Sequence, residues 1–298
     1  MTRGAAGEAG LTATATLTAV ALIAFAGNSL LCRAALAAAG EGAAIGPVGF
    51  TAVRLLSGAL ALLPVAARAG ALQPAALRIR PGACALLLYA VCFSVSFVSL
   101  PAGVGALLLF GTVQITMLVV ARARGEAWTP ARLAGLACAS GGVLVLVGPP
   151  SADDLVNPGG AALMIVAGIG WAAYTLLGRG AAAPTLSTAL NFAAAAPVAL
   201  LCVVAAALLG EEWTGRGMLL AATSGAITSG LGYVIWYAAL RGHSRTSAAA
   251  VQLTVPLIAA AGGVALLGER ATSGLAVSTV LILGGVGLTL ARPRAAAS

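Results

Sequence analysis

Aromatic rings, one deeply placed arginine and a few amides are the side chains with chemistry to offer here. Tyr233, Trp236 and Tyr237 recur at spacings of three and four, as do Trp171 with Tyr174 and Tyr89 with Phe93, so that on helices each set shares one face. Arg54 stands in FTAVRLLSGALALLP, about eight residues into an apolar run, or about 12 Å at 1.5 Å per residue. A charge at that depth costs about 3 kcal/mol on insertion scales and marks function by default. Its guanidinium either contacts a substrate carboxylate, or snorkels to the surface and caps helix carbonyls. Asn28, Gln114, Asn191 and Gln252 also fall within apolar runs. Each binds an amino or carboxylate group, or bonds across helices for about 1 kcal/mol.

The missing chemistry is equally informative. The one histidine, His243, sits between Arg241 and Arg245 in a polar stretch, where solvation is its expected state, and every carboxylate lies in a loop or at a helix end. Metal-dependent hydrolysis within a membrane needs His and carboxylate clusters, and a serine hydrolase needs a base beside its nucleophile. The five cysteines, Cys32, Cys84, Cys92, Cys138 and Cys202, are scattered singly with no zinc or disulfide spacing. No enzyme, metal site or cofactor is expected.

These residues must be positioned by apolar helices. Of 298 residues 60% are hydrophobic and 8% charged, with mean hydropathy +1.04, which belongs to a polytopic membrane protein. Apolar runs fall at 12 to 34, 45 to 67, 82 to 100, 102 to 121, 131 to 148, 159 to 179, 184 to 209, 217 to 239, 246 to 267 and 274 to 291, and a span takes about 20 residues. The expectation is an all-α integral membrane protein of ten transmembrane helices. Trp128 and Trp213, in loops, are expected in the interfacial belt. Pro64, Pro197 and Pro256 fall inside runs, where each removes a backbone bond; Pro256 in LTVPLI is the hinge candidate.

The chain also repeats itself. RGEAWTPARLAGLACASGGVLVLVGPP (Arg124 to Pro150) aligns with LGERATSGLAVSTVLILGGVGLTLARP (Leu267 to Pro293), placing Glu126 on Glu269 and Gly141 and Gly142 on Gly284 and Gly285. LLCR (Leu30 to Arg33) aligns with LLGR (Leu176 to Arg179), placing Phe25 on Trp171 and Asn28 on Tyr174. Asn28 and Gln252 therefore rank highest among the amides, since their helices carry the repeat. Residues 1–150 and 151–298 read as two five-helix repeats. An odd number of spans per repeat inverts the second, an arrangement that places a site near the midplane between repeats. Repeat pairing sets Phe25 opposite Trp171 and Phe93 opposite Trp236. Glu126 and Glu269, just past the fourth and ninth runs, are expected to bond loop amides or start the following helix.

Charge distribution orients the spans. The net charge is +8. Arg3, Arg68, Arg78, Arg80, Arg122, Arg124, Arg132, Arg179, Arg241, Arg245, Arg292 and Arg294 share one side, against Arg33, Arg216 and Arg270 with Glu41, Asp153, Asp154, Glu211, Glu212 and Glu269 on the other. By the positive-inside rule both termini are cytoplasmic, and the basicity is orientation signal rather than nucleic-acid binding.

FAGNSLLCR, Arg54 in FTAVRLLSGALALLP, SAAAVQLTVPLIAAAGGVALLGE and GGVGL resemble the drug/metabolite transporter superfamily, specifically its EamA-type ten-helix exporters. The resemblance covers nearly the whole chain; it departs in helix 4, where Val113 stands at the position of Pro256. It implies a bacterial inner-membrane exporter of amino acids and related metabolites. The expected substrate site is a midplane cavity formed by Phe25, Asn28, Tyr89, Phe93, Trp171, Tyr174, Tyr233, Trp236, Tyr237 and Gln252, with Arg54 on a substrate carboxylate. Its partners are a small molecule and the bilayer. Aromatic and large apolar amino acids suit the rings; cationic drugs, which suit an aromatic cage, and nucleotide sugars are the alternatives. With no carboxylate or histidine inside a span, transport without obligatory proton or sodium exchange is expected.

Overall fold

The computed structural model describes residues 3–37, 44–71, 78, 80–125, 129–147, 156–179, 181–243 and 251–290. Among them there are helices and no strands. They are α1 (Arg3–Leu36), α2 (Pro47–Arg68), α3 (Pro81–Ser96), α4 (Ala102–Ala123), α5 (Pro130–Val147), α6 (Pro158–Arg179), α7 (Pro184–Leu208), α8 (Gly215–Leu240), α9 (Thr254–Leu267) and α10 (Ser273–Leu290). Five of them, α2, α3, α5, α6 and α7, begin on proline, whose fixed φ suits the first helical position and whose missing N–H costs nothing there. Gly268 closes α9 at φ 66, a left-handed conformation in which a β-carbon is strained.

Six helices, α1, α2, α4, α6, α7 and α8, are long and apolar enough to cross a membrane, and α3, α5, α9 and α10 are shorter apolar helices. The outer surface carries Leu60, Leu144, Leu201, Leu208, Leu266 and Val280, each more than half exposed. Such a surface calls for lipid rather than water as its solvent. The chain is a multi-pass helical membrane protein.

The heaviest packing joins helices from opposite sides of residue 150: α5 on α10, α3 on α6, α2 on α7, α4 on α6 and α9, and α1 on α8 and α9. At one end two carboxylates stitch this packing together. Glu211, after α7, accepts from Val48 N and Gly49 N (3.1 and 2.7 Å) and so caps α2. Glu269, after α9, accepts from Ala102 N at 2.9 Å on both oxygens and caps α4, while pairing with Arg33 at 3.2 Å. Glu269 thus bonds a backbone amide, in line with one of its two expected roles, but that amide opens α4 rather than the helix that follows Glu269, and its other partner is Arg33 of α1. Glu126 and Trp128 lie outside the described residues, as do Glu41, Asp153, Asp154, Arg245, Arg292 and Arg294. Trp213 is half-buried over Gly49.

Two helices depart from regularity. Residues 251 and 252 are helical, Leu253 turns, and α9 proper begins at Thr254. Pro256 has no N–H to offer the Gln252 carbonyl, which accounts for a break one turn before the proline. Pro64 and Pro197 lie inside α2 and α7. α8 is π-helical across Ser224–Leu231, which its apolar run did not announce. There Gly225 lies against the Arg54 carbonyl and Ser57 of α2, with no room for a β-carbon. A π-helical insertion of this kind is common at functional sites.

Candidate functional site

The rings converge. Phe25 of α1 meets Trp171, Tyr233 and Trp236 edge to face, at centroid distances of 6.2, 6.0 and 5.8 Å. Trp171 of α6 lies 4.9 Å from Tyr233 and 5.0 Å from Tyr89, and stacks on Tyr174 at 5.5 Å. Helix spacing aimed each set at one face, and the packing of α1, α3, α6 and α8 brings those faces to a common point. Phe93 pairs with Tyr89 and Phe97 (5.2 and 4.7 Å), while the ring partner of Trp236 is Phe25. Phe97 and Phe192, which joins Tyr233 at 6.1 Å, were not anticipated. Phe97 stands four residues after Phe93, the spacing that joins Tyr89 to Phe93, so its signal was present in the sequence, whereas Phe192 has no ring three or four residues away and carried none.

Two small cavities flank this cluster, each about 10 Å³. Phe25, Asn28, Tyr89 and Phe93 line one, and Tyr174, Trp236, Tyr237 and Gln252 the other, with Trp171 and Tyr233 shared. About 10 Å³ holds at most one water, so the centre is closed in this conformation. Gln114 lies apart, facing α5 and α10, and Asn191 packs against Gly82 at the start of α3.

A polar seam runs behind the rings. Arg54 is 1% exposed, which rules out snorkelling. It donates from Nη2 to Tyr89 Oη at 2.9 Å and from Nε to Ser229 Oγ at 3.2 Å. Its guanidinium lies 5.0 and 4.9 Å from the ring centres of Tyr89 and Phe93, whose negative faces offset part of its charge. Asn28 donates to Tyr89 Oη at 3.1 Å and accepts from Ser224 at 2.6 Å and Thr228 at 3.3 Å. Ser224, Thr228 and Ser229 all belong to the π-helical segment of α8 and were missed. Their signal was present in TSGAITSG, a polar interruption of an apolar run, although its contacts lie in α1 and α2.

This seam leaves donors unspent. A phenol oxygen accepts two hydrogen bonds and donates one. Tyr89 Oη already accepts from Arg54 and Asn28, so its own proton remains to be given. Arg54 Nη1 and Tyr233 Oη are buried with no hydrogen-bond partner among the described residues. Buried polar groups are nearly always paired, and an orphan costs about 1–3 kcal/mol. Three unused donors beside one ring cluster suit a ligand that brings acceptors. Arg54 itself lines neither small cavity; it reaches them through Tyr89.

Elsewhere, His243 Nε2 lies 2.8 Å from Thr18 Oγ1 of α1, so the expectation of a solvated loop histidine is corrected. Thr18 spends its own proton on the Thr14 carbonyl at 2.7 Å, leaving its oxygen to accept. A much larger cavity, about 300 Å³, lies at the end of the bundle bearing Arg33 and Glu269.

Residues 158–291 match the EamA-like transporter family. The chain is 47% identical over 278 residues to an uncharacterized protein of Pseudomonas aeruginosa, covering 92% of this chain and 93% of that one. It is 30% identical over 197 residues to an uncharacterized transporter of Archaeoglobus fulgidus, covering 63% and 66%. A solved crystal structure, 20% identical, superposes with a TM-score of 0.62 over 93% of this chain and 97% of its own; it speaks to the fold alone.

Proposed function

The chain belongs to the EamA-like transporter family, and from that premise we propose that it exports small metabolites bearing a carboxylate and an apolar side chain. Amino acids, aromatic and large apolar ones among them, are the substrate class of this reading. Ten spans form two inverted five-helix halves, residues 1–150 and 151–298, in a bacterial inner membrane. The halves rock in alternating access about the ring cluster. Both termini face the cytoplasm, as the arginine bias implies. Substrate moves down its own gradient, because the described seam has no carboxylate or histidine to exchange a proton.

The observation that carries this reading is the set of unspent buried donors: Arg54 Nη1, Tyr233 Oη and the proton of Tyr89. They come from α2, α8 and α3, so both halves contribute. A carboxylate satisfies several of them at once and offsets a guanidinium that has no acidic partner among the described residues. A cationic drug satisfies none and is repelled by Arg54. Opening is required, since an amino acid does not fit about 10 Å³.

The experiment is counterflow into proteoliposomes preloaded with phenylalanine. Amino acids with large apolar side chains should drive uptake of labelled phenylalanine, and phenylalaninamide should not. Trp236→Ala should abolish or redirect transport while the protein stays folded and monodisperse. Competition by cationic drugs with none by amino acids would overturn the reading.

A further inference from the structure

The cavity of about 300 Å³ is walled by the end of α1, the starts of α4 and α10, and the ends of α5 and α9. Its charged groups differ in what they have left to give. Glu269 is partnered: both oxygens accept from Ala102 N, and Oε1 also accepts from Arg33 Nε, which offsets its charge. Arg33 is half spent, donating from Nη1 to the carbonyls of Phe97 and Val98 at 3.0 and 3.2 Å; among the described residues its Nη2 has no acceptor. Arg270 is exposed and has neither an ion pair nor a hydrogen bond among the described residues.

The backbone adds to this imbalance. Gly103 and Val104 at the start of α4, and Gly274 and Leu275 at the start of α10, line the same space; Glu269 already caps α4, while the N-terminus of α10 presents partial positive charge with no carboxylate on it among the described residues. Glu269 answers Arg33 and the start of α4, so Arg270 and the start of α10 leave the cavity with an excess of positive charge that an anion would offset. The remaining wall is apolar, with Val145, Leu146, Val156 and Val264. The volume sits at the lower limit of small-molecule sites.

We propose that this cavity is a second binding site, for a compact amphipathic anion: a carboxylate or an equivalent lipid headgroup held by Arg270 and Arg33 Nη2, with its apolar body against α5 and α9. The site stands on its own lining and does not depend on the rings at the centre. Loss of transport by a central variant leaves it intact.

The test is thiol protection. The Val156→Cys protein, in phosphatidylcholine nanodiscs, is labelled with a maleimide and the introduced thiol is followed by mass spectrometry, with the native exposed Cys84 as internal reference. 3-Phenylpropionate should slow labelling at the introduced thiol and not at Cys84, and its neutral amide should not. Adding Arg270→Gln, a change at an exposed residue with no partner among the described residues, should raise the concentration needed by about tenfold, the lower end of the worth of a hydrogen bond to a charged group. Adding Trp236→Ala should leave protection unchanged, which separates this site from the central one. Protection by phosphatidylglycerol in the disc, with none by the free acid, identifies the headgroup as the source and upholds the anion site. Equal protection by acid and amide overturns the proposal, and so does protection by neither acid nor phosphatidylglycerol.

Discussion

The ring-lined centre and the charged cavity near Glu269 are opposites. The centre has unused donors and almost no space, about 10 Å³ beside each face of Trp171 and Tyr233. The outer cavity has about 300 Å³, and its carboxylate is already paired with Ala102 N and Arg33. Volume and unsatisfied chemistry thus occur in different places. Space in one conformation of a carrier reports which path is open. Orphaned buried groups report where a ligand is missing, because a closed protein tolerates them only at a cost of about 1–3 kcal/mol each. The cavity near Glu269, far larger than those at the rings, is therefore a poor guide to the transport site here, and the seam behind the rings a better one.

The sharpest way to break this comparison lies at the centre, with two tyrosines that differ by what their hydroxyls do. Tyr89→Phe strips the acceptor from Arg54 Nη2 and Asn28 Nδ2 together. It should cost about 2–4 kcal/mol, the sum of two orphaned donors, read as a fall in thermal midpoint in detergent, and transport should be lost. Tyr233→Phe removes a hydroxyl that makes no hydrogen bond of ordinary geometry among the described residues. It should leave the midpoint unchanged or slightly raised and still reduce counterflow severalfold. Equal destabilisation by both would dissolve the distinction between a structural and a waiting hydroxyl.

At the other end, Glu269→Gln tests whether that carboxylate is a clamp or a proton carrier. As a clamp it holds Ala102 and Arg33. The amide keeps one acceptor and loses the charge, so a loss of about 1 kcal/mol in stability is expected for a partly exposed pair. Downhill counterflow should persist. Imposed pH and sodium gradients should not drive uphill uptake in the unaltered protein. Accumulation driven by either gradient and lost in Glu269→Gln would convert the clamp into a coupling site.

The smallest perturbation asks which way the two ends face. Ser273→Cys, beside the large cavity, should react in intact cells with an impermeant thiol reagent, and Arg241→Cys, at the far end of α8, should not. Both positions are exposed, and neither change should alter transport. The reverse labelling would invert the orientation drawn from the arginine bias.

Much of the centre was legible because helical periodicity is local. Spacings of three and four around Tyr89, Trp171 and Tyr233 named faces, and hydropathy named the helices that carry them. The seam was less legible. Arg54 stood out as a charge in an apolar run, but its partners Tyr89 and Ser229 lie 35 and 175 residues away. Neither distance leaves a trace in local spacing. Ser224 and Thr228 looked like ordinary small residues until the π-helical turn aimed them at Asn28. Glu211 and Glu269 were visible as carboxylates at helix ends, yet the ends they cap belong to α2 and α4, since a carboxylate takes whichever orphaned N–H groups the packing brings near. His243 was assigned to solvent for the same reason: its partner, Thr18, is 225 residues earlier.

The amino-acid sequence by itself determined that this chain is a bundle of apolar helices, where most of them begin, and which residues share a helical face. Those properties follow from composition, from proline and glycine at helix ends, and from the 3.6-residue turn, all of them set within a few residues of one another. Tertiary structure decided which faces meet. Packing across residue 150 gathered Phe25, Tyr89, Trp171 and Tyr233, buried Arg54 with no acid beside it among the described residues, and set Arg270 at the rim of a cavity. Burial and hydrogen-bond satisfaction are properties of neighbours distant in the chain, so only the assembled helices settle which polar groups are spent and which still wait for a partner.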